Sequence, residues 1–239
     1  MHKGMSPLNR HVKVAGIAEA LDLLCSDLVF LQEVQGRNRL RALSHSDWPH
    51  EPQHHYLASR LKRQAAYGMS ASYEHGHHGN AVLSRFPIDV SSNFDLSVNR
   101  FESRVLLSCT LSPPDWQTPV VALCAHLNLL GHDRRKQYRT LVSYVKEALP
   151  ADIPLILAGD FNDWRSKAAD HLADELGLVE VFEALHGSHA LSFPARLPLL
   201  PLDRIYVRGL VPVAASVHRG EPWSGLSDHL PLTAQLVLA

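Results

Sequence analysis

Cysteine is scarce here. Three in 239 residues is too few, and the wrong parity, for a disulfide framework. Cys25, Cys109 and Cys124 sit in apolar runs and read as small buried hydrophobes, which favours a reducing compartment. The opening Met1-His2-Lys3-Gly4-Met5-Ser6-Pro7 has no apolar core for a secretion signal. No stretch approaches membrane-spanning length, so the expectation is a cytoplasmic chain without a transmembrane segment. Charge of one sign is also missing. With 23 Lys and Arg against 24 Asp and Glu, the formal net charge is −1. No global positive field draws a polyanion, although a local basic patch stays open. Repeats, low-complexity tracts and linker-like charge blocks are absent as well. What is present is 46% hydrophobic residues, enough for a real core and against disorder. The length suits one domain, residues 1–239.

Residues 12–24 repeat with a helical period, with Val14, Ile17, Ala18, Leu21 and Leu24 on one face. A buried strand over 27–34 follows and ends in Glu33. Gly36 and Arg37-Asn38-Arg39 open a loop or short helix, and 54–63 suits a further helix. Short strands are predicted over 66–72, 80–84, 88–94, 103–111 and 120–126, separated by Gly and Pro. A second clear helix spans 133–149. The run Ile153-Pro154-Leu155-Ile156-Leu157-Ala158 reads as a strand buried on both faces, leading into Gly159-Asp160-Phe161-Asn162. Helix is expected over 167–176, an irregular Pro-rich region over 186–202, and closing strands over 202–208, 211–218 and 230–238.

Polar residues terminate several of these strands. Asp160 and Asn162, two apart on an extended segment, would point to one side; a strand-ending turn is the plain alternative. Glu33 ends a strand in Leu31-Gln32-Glu33. His126 does so in Cys124-Ala125-His126-Leu127-Asn128. Asp203 begins Leu202-Asp203-Arg204-Ile205-Tyr206, and Ser227-Asp228-His229 precedes the last strand. Singly, each reads as a turn or rim residue. Jointly they make a chemical set of carboxylates, imidazoles and an amide. Converging carboxylates repel by roughly 4 kcal/mol per pair at about 4 Å and an effective dielectric near 20. Gathering them calls for a counter-charge, and oxygen donors suit Mg²⁺ or Mn²⁺ rather than zinc.

The Leu-Gln-Glu, His-Leu, Gly-Asp-Phe-Asn, Leu-Asp-Arg-Ile and Ser-Asp-His motifs, in this order, resemble those of the endonuclease/exonuclease/phosphatase superfamily. His77-His78-Gly79-Asn80-Ala81-Val82-Leu83-Ser84-Arg85-Phe86-Pro87-Ile88 resembles its Gly-Asn-Ala-Leu-Ser-Arg-Pro segment. The resemblance implies an α/β (α+β) DNase I-like fold: a four-layer sandwich of two facing mixed β-sheets flanked by helices. It also implies divalent-metal-dependent phosphoester hydrolysis. By the same resemblance Glu33 and Asp228 are metal ligands, Asp203 orients His229, and Asp160 orients or deprotonates the attacking water. Asn162 and His126 then bind non-bridging phosphate oxygens, with Asn80, Arg104 and Asn128 as further substrate contacts. Whether Asp160 or His229 takes the proton stays open.

One departure stands out. The family's first strand, with an Asn ligand, would precede His2-Lys3-Gly4, so this chain reads as lacking that strand. A start codon placed too far downstream is the favoured explanation, and a chain complete without the strand is the other.

Elsewhere, His75-Gly76-His77-His78-Gly79 reads as a solvated polar loop rather than a metal site. Arg134-Arg135-Lys136 and Arg139 read as a solvated helix face or an anion contact, and Arg100 invites the same two readings. Phe193–Leu202 and Trp223 suit core packing, a lipid interface or base stacking. A lipid or small phosphoester is the favoured substrate, with peripheral membrane contact and a sphingomyelinase-like, phospholipid-associated branch in view. A nuclease is the alternative, and a catalytically silent binding module the second.

Overall fold

The computed structural model describes residues 1–6, 10–165 and 169–239. The strands are β1 (Leu28–Asn38), β2 (Gln64–Tyr73), β3 (Gly76–Ser84), β4 (Ile88–Asp95), β5 (Val105–Leu111), β6 (Val120–His126), β7 (Leu155–Asp160), β8 (Val179–Glu180), β9 (Asp203–Arg208), β10 (Leu210–Val217) and β11 (Leu232–Leu238). The helices are α1 (Val14–Leu23), α2 (Arg39–Ser44), α3 (Gln53–Leu61), α4 (Gly131–Ala148), α5 (Ala169–Leu176), α6 (Val181–His186) and α7 (Trp223–Leu226).

A six-stranded mixed sheet runs β4-β5-β6-β7-β9-β8, with β6 and β7 parallel and joined by α4. Every residue of β6 and β7 is buried, as expected for strands covered on both faces. One apolar layer, including Leu123, Leu157, Tyr138 and Phe161, packs this sheet against α4 and α5. A second, with Val82, Leu107, Ala122, Ile156 and Val207, fills the space between the sheets. A third lies between β1-β3-β2 and the helices α1 and α3. Four layers result, in the DNase I-like arrangement that the sequence predicts.

The second β layer is divided. β1-β3-β2 form one sheet and β10-β11 another. The edge of β1 away from β3 meets a short helical turn at His2–Gly4, where the Met1 amino group donates to Gln32 O at 3.2 Å.

Several local expectations change. Residues 35–38 continue β1 instead of opening a loop. His77 and His78 lie in the central strand β3, paired with both β1 and β2. Gly79 reads as a breaker in the sequence but serves close strand approach: a Cβ there would lie 1.8 Å from Gly68 O. The short helix α6 has no counterpart in the sequence reading, because Glu180, an uncommon cap, accepts from Glu183 N at its start. The predicted helix over 167–176 is present from Ala169; its first positions lie outside the described residues. Arg134 is buried, donating to Asn128 O and Leu129 O and facing Asp163 at 3.7 Å, so the solvated-face reading fails for it. Arg135, Lys136 and Arg139 are exposed as expected.

Candidate active site

Register aligns three of the predicted residues. His126 pairs with Asp160 across β6 and β7, and Asp160 with Asp203 across β7 and β9. The three stand abreast at one end of adjacent strands. Gly159 makes the β6–β7 contact possible: its φ is +152°, and a Cβ would lie 1.9 Å from Ala125 O. His126 Nε2 lies 3.5 Å from Asp160 Oδ2, and His229 Nε2 lies 3.9 Å from the same oxygen. His229 Nδ1 meets Asp203 Oδ2 at 2.8 Å. The carboxylate thereby fixes the ring's orientation and aims Nε2 at Asp160.

Two neighbours support this pair, and neither is apparent in the sequence. Ser192, fully buried, donates to Asp203 Oδ2 at 2.5 Å. The Phe193 ring lies over His229 at a centroid distance of 4.9 Å. Both lie in the Pro-rich stretch, whose lack of period hides them.

The electrostatics divide the groups. Burial, reinforced by Asp203, pushes Asp160 up to about 7. Burial also opposes charge on Asp203, but the facing His229 outweighs it and holds Asp203 below the usual carboxylate range. For His229, burial lowers the pKa while Asp203 and Asp160 raise it, with a net rise to about 9. His126, buried and facing Arg104 and His229, is held well below its ordinary value. The site therefore pairs one cationic and one neutral imidazole around a single carboxylate.

Glu33 arrives from the other sheet. It sits at a bulge in β1, between the paired residues Leu31 and Val34, with φ of +56°. A left-handed non-glycine residue costs on the order of 1 kcal/mol, and bulges near sites re-aim side chains. Its charge is felt by Arg41, His78 and Arg104, and Arg104 in turn faces Asp160. Among the described residues no hydrogen bond reaches the Glu33 carboxylate. Asp228 contacts His2 Nδ1 at 3.1 Å. Burial opposes its charge, but His229 and His2 prevail and hold it below the usual range. An ionised Asp228 and an unbonded Glu33 carboxylate are each oxygen donors of the kind a hard divalent cation takes.

Three predicted amides are placed otherwise. Asn80 donates through Nδ2 to Val105 O (2.9 Å) and Cys124 O (3.3 Å), clamping the sheets together, and is buried. Asn128 is fully buried, bonded to Asp133 and Gln137 on both ends of its amide, so it holds the loop before α4 rather than a substrate. Asn162 is not extended beside Asp160. Its φ is +51°, its backbone N–H donates to Asp160 Oδ1 at 2.9 Å, and its Nδ2 donates to Leu127 O at 2.9 Å. It closes a turn that fixes the Asp160 carboxylate, with one amide hydrogen left over. Arg104 pairs with Glu102 at 2.6 Å while its charge faces Glu33 and Asp160. His78, read as part of a loop, stands near Glu33 and Arg104, and burial pushes it down to about 4.

A separate trio, Glu180, Glu183 and His189, has one potential ligand atom from each within 4.8 Å of the others. Glu180 already caps α6 through Glu183 N at 2.7 Å and pairs with His189 at 3.2 Å, so this cluster has a structural task.

Two facing sheets with a His–Asp pair and a carboxylate row at their strand ends define a DNase I-like protein. The Endonuclease/Exonuclease/phosphatase family profile matches residues 4–229, and the chain belongs to that family. The family includes phosphatases and nucleases and is typically divalent-metal-dependent. The uncharacterized protein YbhP of Escherichia coli strain K12 is 40% identical over 238 residues, covering 100% of this chain and 94% of that protein. Among solved structures, an endonuclease/exonuclease/phosphatase from Beutenbergia cavernae superposes with a TM-score of 0.76 at 20% identity, over 99% of this chain and 69% of that one. The mannosyl-6-phosphatase Bt3783 of Bacteroides thetaiotaomicron gives 0.70 at 18% identity, over 95% and 91% of the two chains. No helix among the described residues is long and apolar enough to cross a membrane.

Proposed function

We propose that this protein hydrolyses a phosphoester by in-line attack of water, assisted by Mg²⁺ or Mn²⁺ held by Glu33 and Asp228. The observation that carries this reading is the shared Asp160 Oδ2, which faces both His126 and His229 while Asp203 holds the far nitrogen of His229. Asp160 orients the attacking water and accepts its proton: Asn162 N fixes one of its oxygens and leaves the other facing His126 and His229. His229, positioned by Asp203, donates from Nε2 to a non-bridging phosphate oxygen, and Arg104 adds positive charge on the same side. His126 and the remaining amide hydrogen of Asn162 supply neutral donors to the phosphate. The bound cation would neutralise phosphate oxygens and stabilise charge on the leaving oxygen.

The test is turnover of bis-p-nitrophenyl phosphate with Mg²⁺, with Mn²⁺ and with EDTA. Hydrolysis that EDTA abolishes and either metal restores is expected. Metal-independent turnover would overturn the metal assignment, and no turnover in any condition would leave a silent binding module of the same fold as the better reading. A nuclease is the second reading, since the D. rerio TDP2 structure with a single-strand DNA product shares this fold at a TM-score of 0.68. Comparing plasmid DNA, an abasic-site oligonucleotide, sphingomyelin and inositol phosphates as substrates separates these classes.

A further inference from the structure

The strands that bear site residues also send out loops with exposed apolar tips. Phe101 precedes Arg104 and is 85% exposed. Leu129 and Leu130 follow His126, Trp164 follows Asp160, and Leu197 and Leu199 precede Asp203; all five are exposed too. Scattered exposed leucines need no explanation. These side chains, however, share one stitched structure. Asn99 in the first loop donates to Asp133 beside the second at 2.8 Å. Arg134 donates to Leu129 O, faces Asp163 and lies over the Trp164 ring at 5.3 Å, joining the second loop to the third. Arg204 donates to Asp163 O at 3.2 Å and to Pro201 O, joining the third to the fourth. Ala195 N donates to Asp228 O at 2.7 Å, which anchors the fourth loop beside His229.

Charge is segregated on the same rim. Among the described residues of spans 97–104, 127–135, 161–165 and 191–202, the exposed side chains with permanent charge are all cations: Arg100, Arg135, Arg165 and Arg196. The carboxylates there turn inward, with Glu102 on Arg104 and Asp133 and Asp163 buried. On a chain of net charge −1 this local excess is a property of the rim and not of the whole surface.

We propose that this rim seats the pocket on an anionic phospholipid surface, which makes a phospholipid headgroup ester the substrate; the second half rests on the hydrolase reading above. Apolar side chains ringed by arginines are the combination that an anionic bilayer interface binds, by burial of the tips and by attraction to headgroups. Nucleic acid would use the arginines equally well. It would leave Leu129, Leu130, Leu197 and Leu199 without a role, because aliphatic tips offer no face for base stacking.

The experiment is co-sedimentation with phosphatidylcholine vesicles, with and without phosphatidylglycerol. It uses the full chain, the Phe101→Ser/Leu130→Ser/Leu199→Ser variant and the Arg100→Ser/Arg135→Ser/Arg196→Ser variant. Expected are binding that requires phosphatidylglycerol and weakens with salt, and loss of about tenfold or more in either variant, with bis-p-nitrophenyl phosphate turnover unchanged. No binding to either vesicle, or equal binding by all three proteins, overturns the proposal. So does binding of a single-stranded oligonucleotide that the arginine variant loses while vesicles stay free. Vesicle binding without any ester turnover upholds the docking surface and removes the hydrolase reading instead.

Discussion

His126, Asp160 and Asp203 stand abreast on β6, β7 and β9 because strand register puts them there, and none of the three takes a positive φ. Glu33, whose charge reaches Arg104 from the other sheet, is placed by other means. It breaks the register of β1 and takes a left-handed φ on a half-buried edge. The first side is a by-product of a well-packed sheet. The second is held against a local cost, and strain of that kind persists where the surrounding structure over-determines it. The contrast predicts that the two sides respond differently to substitution: activity should fall on both, and a gain in stability should accompany relief of the strained backbone at Glu33.

The largest expected effect tests the register side. Asp160→Asn keeps the shape but removes the base and the charge facing both imidazoles. A fall of about 10²–10⁴-fold in metal-dependent turnover is expected, with an unchanged far-ultraviolet spectrum. His229→Ala should fall in the same range. Near-full activity in either variant would detach the row from the chemistry. Next comes Glu33→Gly. It deletes the carboxylate and should lower turnover and metal affinity together. It also relieves the positive φ, so the protein should melt about 2–4 °C higher for each kcal/mol released. A Tm that falls instead would mean that Glu33 supports the fold, and the proposed division between the two sides would be lost.

A third prediction concerns what joins the sheets. Asn80→Ala leaves Val105 O and Cys124 O without their buried donor, at about 1–3 kcal/mol for each unsatisfied group. Urea unfolding should show a lower midpoint, with the KM of residual activity less affected than Tm. A variant of native stability and selectively raised KM would return Asn80 to the substrate.

These amides also show where sequence reading stops. The strand ends are legible because β6 and β7 are uninterrupted apolar runs that end abruptly in His126 and Asp160, a pattern set by burial on both faces. Asn80, Asn128 and Asn162 are visible as polar residues near those ends. An amide that clamps backbone and one that binds phosphate have the same donors, and only the partner's position separates them. The bulge at Glu33 leaves no mark, since nothing in Leu-Gln-Glu-Val announces a left-handed glutamate. Ser192 and Phe193 are hidden for a different reason: their contacts with Asp203 and His229 join loops without periodicity. Glycines 76 and 79 mislead because close strand approach and a loop require the same residue.

The smallest expected effect is on acid stability, and it belongs to the Glu33 side. His54 stacks on Tyr67 at a centroid distance of 4.3 Å, and Tyr67 in turn bonds His77 Nδ1 at 3.0 Å. Burial, then the nearby His55 and His77, lower His54 to about 4, against an ordinary value of 6.5. The unfolded chain therefore binds more protons than the folded one between these values. The stability this stack contributes is fully present above pH 6.5 and is lost as the pH falls through 4. His54→Phe keeps a ring against Tyr67 and takes up no proton. From pH 7 to pH 4.5 the urea midpoint of the wild type should drop further than that of His54→Phe. The carboxylates titrate alike in both proteins and cancel in the comparison. Parallel declines would mean that the stacked imidazole charges as readily folded as unfolded, and the acid sensitivity of the fold would then have to come from the strand-end row instead.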